Sequence, residues 1–509
     1  MKRRDFLTSN LTSAGLLGAA AMIPSRAKAA RPDTVVKRWP KALGKFPGGK
    51  RPNVLWIQTD EQRPDSLGCY GSNWAKTPNM DAVAARGTVF TECHVQSPVC
   101  VPSRSSMLFC KYPQELNIYE NSKAFKDGFI NPAAKTWVNC MADAGYRTVS
   151  IGKWHTPNHE TWQENYLFDI FHDVADYYKL NGKFAGQNET YRVVNRQGER
   201  YPIIIGGVYP HHDYGVTPAT YKTDLAIEKL QEFHGGNKPW LLRVSYLWPH
   251  TPVLTPKPWD KLYDPKEIPN RAGNRAAYET RSEYDRWFAD YQGGFKLDKD
   301  TWAMCAADYY GLCAHVDDEM GRLFQELEKL GELDNTIIAF NADHGRSLGE
   351  AGLCEKGTYD REVWRVPFVF SCPGLIPEGK KDEQLCELLD FGATITDLCG
   401  VSLEDGMRGR NIFEDPAPET VFGIIDIGPY RRAGVRNGKY RLDCTVAYQY
   451  KLLPESEWDP NLFNVQNDPF EENSLAGNPE YAAVVKGMYQ QLKDWLKQTD
   501  PKAYSALQM

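Results

Sequence analysis

The sequence predicts an α/β fold. A large, mostly parallel sheet is sandwiched by helices, and a smaller C-terminal α+β region is built on an antiparallel sheet. Three observations predict it. Apolar runs of strand length alternate with helical patterns from residue 53 to about residue 400, the signature of a parallel sheet covered on both faces. Four of those runs end in charged residues: Asp60-Glu61, Lys153 with His155, His250, and Asp343-His344. Ligands of such sheets bind beyond the carboxyl ends of the strands, so these residues are expected to face one another with Cys100 between them. After about residue 415 the runs shorten, and Asn437-Gly438 marks a hairpin turn.

In chain order, Lys2-Arg3-Arg4-Asp5-Phe6-Leu7 is a basic start, Ala14 to Ile23 is a short apolar run, and Ala27-Lys28-Ala29 is a small-residue cleavage site. Residues 1–29 therefore read as a signal peptide. The paired arginines predict the twin-arginine export machinery as a partner and a periplasmic or secreted destination. The run is shorter than the ~20 residues a span requires, so no membrane span is predicted. Residues 30–50, rich in Lys, Arg, Pro and Gly, read as an arm. A catalytic α/β domain is expected over 51–415 and a C-terminal α+β subdomain over 416–509.

Asn53 to Gln58 is the first predicted strand, and Thr77-Pro78 opens a helix that Gly87 closes. Val89-Phe90 leads into Ser97 to Leu108, where Cys100 sits in a proline-bracketed turn at a helix start, with Arg104 one turn on. A helix N-terminus favours an anion, and an arginine can fork onto an oxyanion. By itself such a cysteine is more often a buried thiol. Lys135–Ala144 reads as a helix, Thr148–Ile151 as a strand, 156–216 as long loops over the site, and Thr217 to His234 as a capped helix. Trp240–Leu247 is a strand, 253–297 is loop-rich, and a long helix spans Asp300 to Leu330. Thr336–Phe340 and Val366–Phe370 are strands, and Leu388–Cys399 is a helix. Thr420–Ile425, Arg432–Arg436 and Lys439–Leu442 are short strands, before a helix over Glu480–Lys497.

Composition narrows the function. A formal net charge of −6 argues against a nucleic-acid partner. The 12 cysteines show no paired C-x-x-C spacing, so neither a zinc ribbon nor a disulfide scaffold is indicated. Asp60, Glu61, Asp343 and His344 form an oxygen-rich donor set that suits Ca²⁺, Mg²⁺ or Mn²⁺ better than zinc. Singly, acids at strand ends are ordinary caps; two pairs at corresponding ends favour a metal. Arg104, Lys153, His155, His250 and Lys356 add cations around it, which predicts a phosphoryl or sulfuryl ester as substrate. His211, His212, Trp162 and Trp248, in or beside the long loops, are candidates for contact with a sugar or aryl group.

Cys100-Val-Pro-Ser-Arg104 resembles the Cys-x-Pro-Ser-Arg signature of type I sulfatases, in the alkaline phosphatase superfamily. Asn53 to Asp65, Gly152-Lys-Trp-His155, Pro249-His250-Thr-Pro252, Asp334 to Gly345, Gly352 to Lys356, and Asn461 to Pro469 resemble the family's other segments in order, covering roughly 51–500. The resemblance implies that a formylglycine-generating enzyme converts Cys100 to formylglycine, whose hydrate supplies the nucleophile and one metal oxygen. It implies that Asp60, Glu61, Asp343 and His344 hold the metal, most often Ca²⁺, and that Lys356 or His250 protonates the leaving oxygen. His155 would take a proton as sulfate is expelled, while Arg104 and Lys153 hold the nucleophile and the sulfate charge. The implied substrate is a sulfated carbohydrate or a small organic sulfate. The sequence departs from the pattern at Glu61, where Asp is usual, at His344, where Asn is frequent, and at Leu108-Phe109-Cys110, where Leu-Thr-Gly is usual. A phosphonate or phosphate ester hydrolase of the same superfamily, and a non-catalytic glycan binder with an unconverted Cys100, are the alternatives.

Overall fold

The computed structural model describes residues 51–121, 134–157, 161–167, 191–197, 201–209 and 217–500. All lie in one unit, Lys41–Met509. The predicted signal peptide, the arm, and His211 and His212 fall outside the described residues.

A nine-stranded sheet organises the chain. Its strands are β1 (Asn53–Thr59), β2 (Gly87–His94), β3 (Arg147–Gly152), β4 (Glu164–Leu167), β7 (Trp240–Ser245), β8 (Thr336–Ala342), β9 (Arg365–Val366), β10 (Phe368–Ser371) and β11 (Lys380–Glu387). Their order is β11-β2-β10-β8-β1-β7-β3-β4, with β9 on β2. β10 runs antiparallel to β8 and β2, and β9 antiparallel to β2; the other pairings are parallel. The four strands with charged ends are therefore neighbours, β8-β1-β7-β3, and all point the same way.

β1 shows why its run is continuously apolar. Val54 and Trp56 join the core on one face of the sheet, while Leu55 and Ile57 join the core on the other. On the first face Trp56 packs against Trp137 and Phe391 and donates Nε1–H to Asn341 Oδ1 at 2.7 Å. The second face is covered by the helices Pro218–Phe233 and Lys299–Lys329. The latter begins at Asp298, whose side chain accepts from Thr301 N–H, a helix-start cap.

Several expectations are corrected. Residues 156–216 are not all loop: β4 pairs with β3, and β5 (Tyr191–Gln197) pairs with β6 (Tyr201–Gly207) in a two-stranded sheet. Residues 253–297 contain the helices Arg275–Glu279 and Glu283–Gln292, started by Asn274 and Ser282 side chains that accept backbone N–H groups. β11, unpredicted, reads Lys-Lys-Asp-Glu-Gln-Leu-Cys-Glu. It lies at the sheet edge with its first half largely exposed, so it needs no apolar run. Trp162 and Trp248 are 5% exposed and pack in the interior, against Trp56 and Trp154, and against Tyr209 and His315, so packing accounts for them.

The second sheet is antiparallel: β12 (Thr420–Ile427), β13 (Tyr430–Asn437), β14 (Tyr440–Tyr448) and β15 (Lys451–Leu452), with β16 (Pro460–Asn464) on β14. Asn437 Oδ1 accepts from Lys439 N and Tyr440 N at the predicted turn. The helix Ala482–Thr499 covers this sheet through Leu492 and Trp495.

A buried acid pair lies near the join of the two sheets. Glu387 accepts from Tyr112 O–H at 2.8 Å and Phe422 N–H at 3.3 Å. Burial, reinforced by the Asp390 charge, pushes Glu387 up to about 8. An acid held above its unfolded value binds its proton more tightly when folded, so its stabilisation is present at low pH and lost as pH rises toward about 8. Urea midpoints of the wild type are therefore expected to fall between about pH 5 and pH 8, and Glu387→Gln to flatten that fall. An equally steep fall in the variant would assign the dependence to other groups.

Candidate active site

Each strand end delivers its residues by backbone geometry. Asp60 and Glu61 follow β1, Asp343 and His344 follow β8, Lys153 and His155 follow β3, and His250 lies in the loop after β7. Glu61 (φ +63°) and His155 (φ +50°) occupy the left-handed region, uncommon for such side chains. Cys100 opens the helix Cys100–Phe109, every residue of which is buried. That helix ends at Cys110 in the left-handed cap conformation (φ +49°), which glycine adopts most cheaply. Cys110 thus stands where the resembled pattern has glycine.

Cys100 Sγ is the convergence point. It lies 3.1 Å from His344 Nε2, 3.4 Å from Lys356 Nζ, 3.9 Å from Lys153 Nζ and 3.9 Å from Asp60 Oδ1. Burial would push the thiol up, but Lys153, Lys356 and His344 outweigh it and hold it well below the usual thiol range. Arg104, wholly buried, spans the two aspartates: Nη2 donates to Asp60 Oδ2 and Nε to Asp343 Oδ2, both at 2.7 Å. Lys153 Nζ also pairs with Asp60 Oδ2. Burial raises Asp60, yet Lys153, His250 and Arg104 prevail and keep it ionised; Asp343 is pushed up by burial despite Arg104.

Glu61 sits in an adjoining group. It pairs with Arg346 Nη1 at 2.7 Å and with Lys356 Nζ, and His250 Nε2 lies 3.4 Å from it. Despite burial, His250, Lys356 and Arg346 draw it down to about 2. His250 Nδ1 lies 2.5 Å from the Thr251 carbonyl, which only accepts, so Nδ1 carries the hydrogen. Nε2 is then free to accept from Lys356 Nζ at 3.0 Å. Burial holds His155 below its ordinary value, leaving a neutral imidazole.

Asp60, Cys100, Asp343 and His344 each offer one donor atom, all within 4.8 Å of one another; Asp60, Glu61 and His250 form a second such group. Two buried carboxylates and an imidazole at that spacing fit a divalent cation, which would also relieve the burial of two like charges. The four-residue group leaves Glu61 out. Its carboxylate meets Arg346 instead, a residue the sequence reading passed over although it lies three positions past Asp343.

Other supports also went unread. Gln58 Oε1 accepts from Arg104 Nη1 at 3.1 Å and Arg243 Nη2 at 2.6 Å, and Tyr309 donates its hydroxyl to Glu61 O at 2.6 Å. Arg243 alone left a visible signal, a charge inside the apolar run of β7.

A parallel sheet whose strand ends converge on one nucleophilic position, two buried acids and several cations defines a hydrolase for anionic esters. The family model described as Sulfatase matches residues 52–401, and the chain belongs to that family, within the alkaline phosphatase superfamily. It is 27% identical over 497 residues to an N-acetylglucosamine-6-O-sulfatase of Bacteroides thetaiotaomicron, covering 88% of this chain and 87% of that one. It is 26% identical over 445 residues to an ulvan-active sulfatase of Formosa agariphila, covering 85% and 79%. In fold it resembles a phosphonate monoester hydrolase from Silicibacter pomeroyi, with a TM-score of 0.75 at 21% identity, covering 89% of this chain and 97% of that one. The chain is thus a sulfatase-family hydrolase acting on sulfate esters.

Proposed function

We propose that this protein removes sulfate from a sulfated carbohydrate, with Cys100 converted to formylglycine and a divalent cation, Ca²⁺ foremost, held by Asp60, Asp343, His344 and the side chain at position 100. One observation carries the reading: those four side chains offer donor atoms within 4.8 Å of one another, ringed by Lys153, Lys356 and Arg104. When present, the modified residue supplies a hydroxyl nucleophile and the cation lowers the cost of its negative charge.

The chain's own residues do the rest. Lys153 and Arg104 keep Asp60 ionised, and Lys153 and Lys356 face the position a sulfate group would occupy. Lys356, hydrogen-bonded to His250 Nε2, is held charged by Cys100 and Glu61 despite burial, so this pair has a proton for the departing alcohol oxygen. His155, neutral, is the base that takes a proton as sulfate leaves. The names of the N-acetylglucosamine and ulvan sulfatases support a carbohydrate as the alcohol part. The reading includes export through the twin-arginine route with loss of residues 1–29.

The test is peptide mass spectrometry across Cys100 after co-expression with a formylglycine-generating enzyme, with rates on 4-nitrophenyl sulfate and an aryl phosphonate monoester. Conversion and a higher kcat/KM on the sulfate are expected. A preference for the phosphonate would move the protein to the alternative ester class. A persistent thiol with no turnover would leave a non-catalytic binder.

A further inference from the structure

A cavity of about 450 Å³ is lined by none of the candidate site residues. Arg63, Trp74, Arg271, Arg361, Arg365 and Phe470 are among its walls. The acids there are already engaged. Asp65 takes both arms of Arg63 at 2.9 and 2.6 Å, Glu350 accepts from Arg63 Nη1 at 2.8 Å, and Glu362 pairs with Arg271. Arg365 reaches Glu92 at 3.2 Å, a carboxylate that Arg436 also claims at 2.5 Å.

Arg361 differs. Among the described residues it has no ion pair, and its guanidinium makes one hydrogen bond, to Pro469 O at 2.9 Å. An arginine has five N–H donors, so most of its capacity is uncommitted. Burial, with the Arg365 charge behind it, pushes Arg361 below its ordinary range, which a bound anion would reverse. Its guanidinium carbon lies 5.6 Å from the Phe470 ring centroid, and that of Arg271 lies 4.3 Å from the same ring. Phe470 is 47% exposed, so two cations converge on an aromatic surface open to solvent. A sulfated sugar presents the same combination, an oxyanion beside an apolar ring face.

We propose that this cavity is a second oxyanion site, taking the sulfate group of a sulfated sugar or a free sulfate ion, with Arg361 as its principal contact and Phe470 and Trp74 as the surface for a sugar ring. The site abuts the catalytic segment: Arg63 Nη1 donates to Arg346 O at 3.4 Å, and Arg346 holds Glu61. The proposal does not depend on the fate of Cys100.

The test is calorimetric titration of the full chain carrying Cys100→Ala, which prevents turnover, with sodium sulfate and with glucosamine 6-sulfate. Two binding events are expected. Adding Arg361→Gln should weaken one at least tenfold, and survival of the other shows that the variant is folded. Phe470→Ala, at an exposed position, should weaken glucosamine 6-sulfate at the Arg361-dependent site and leave sodium sulfate unchanged there if the ligand is a sulfated sugar. Sodium sulfate binding at the Arg361-dependent site, with no glucosamine 6-sulfate binding there, identifies the free ion as the ligand. Isotherms unchanged by Arg361→Gln, or a single event insensitive to it, overturn the proposal.

Discussion

On the proposed mechanism, Cys100→Ala lowers kcat on 4-nitrophenyl sulfate by at least about 10⁴-fold, because it removes the nucleophile and with it the reacting bond, not merely a contact. His344, Lys356, Lys153 and Asp60 all direct an atom at the position 100 side chain, from 3.1 to 3.9 Å away. The cations that would bind the sulfate group remain, so KM should change far less than kcat, and that split is what steady-state kinetics would read. A variant retaining activity within tenfold of the wild type would mean that another group attacks sulfur, and that the convergence on Cys100 serves only to bury a thiolate. Far-ultraviolet circular dichroism separates lost chemistry from a lost fold.

The charged strand ends were legible because a strand buried on both faces is largely apolar until it stops, and charged residues then mark its carboxyl end. β1 and β8 obey this, β3 does so after Arg147 at its start, and β7 does so apart from the buried Arg243 within it; the four lie side by side in the sheet. β11 escaped because an edge strand can be charged along half its length. The helices within 253–297 escaped because they are short and their starts rest on single side chains, Asn274 and Ser282. Within the site, Asp60 and Glu61 read alike, as successive acids at one strand end. Their partners differ: Asp60 also joins Cys100, Asp343 and His344, while Glu61, in a left-handed turn, meets Arg346 and Lys356 and shares a second donor group with Asp60 and His250. Residue order carries no sign of that turn. Nor does it say that Arg346 balances Glu61, since an arginine after a strand is ordinary. Arg104 was legible by its place one turn beyond Cys100, but its partners were not.

Those partners make Arg104→Met the substitution with the largest expected cost in stability. Arg104 and both aspartates are wholly buried, and one guanidinium donates to Asp60 through Nη2 and to Asp343 through Nε. Removing one member of a buried ion pair leaves an uncompensated charge and costs about 3–5 kcal/mol. The losses are unequal. Asp60 keeps Lys153, whereas Asp343, among the described residues, keeps only its bonds from Glu61 N–H and His344 N–H and the nearby His344 ring. Arg104→Lys retains the charge, but one ammonium cannot present two N–H groups along the fixed directions of a guanidinium, so its stability should fall between the two. The same bonds hold Asp60 and Asp343 in place as donors, so both variants should lose sulfate ester hydrolysis along with stability. Urea denaturation followed by tryptophan fluorescence measures the first effect and 4-nitrophenyl sulfate turnover the second. A stability loss below about 1 kcal/mol for Arg104→Met, within the range of a surface ion pair, would show that the two carboxylates are neutralised by something other than Arg104.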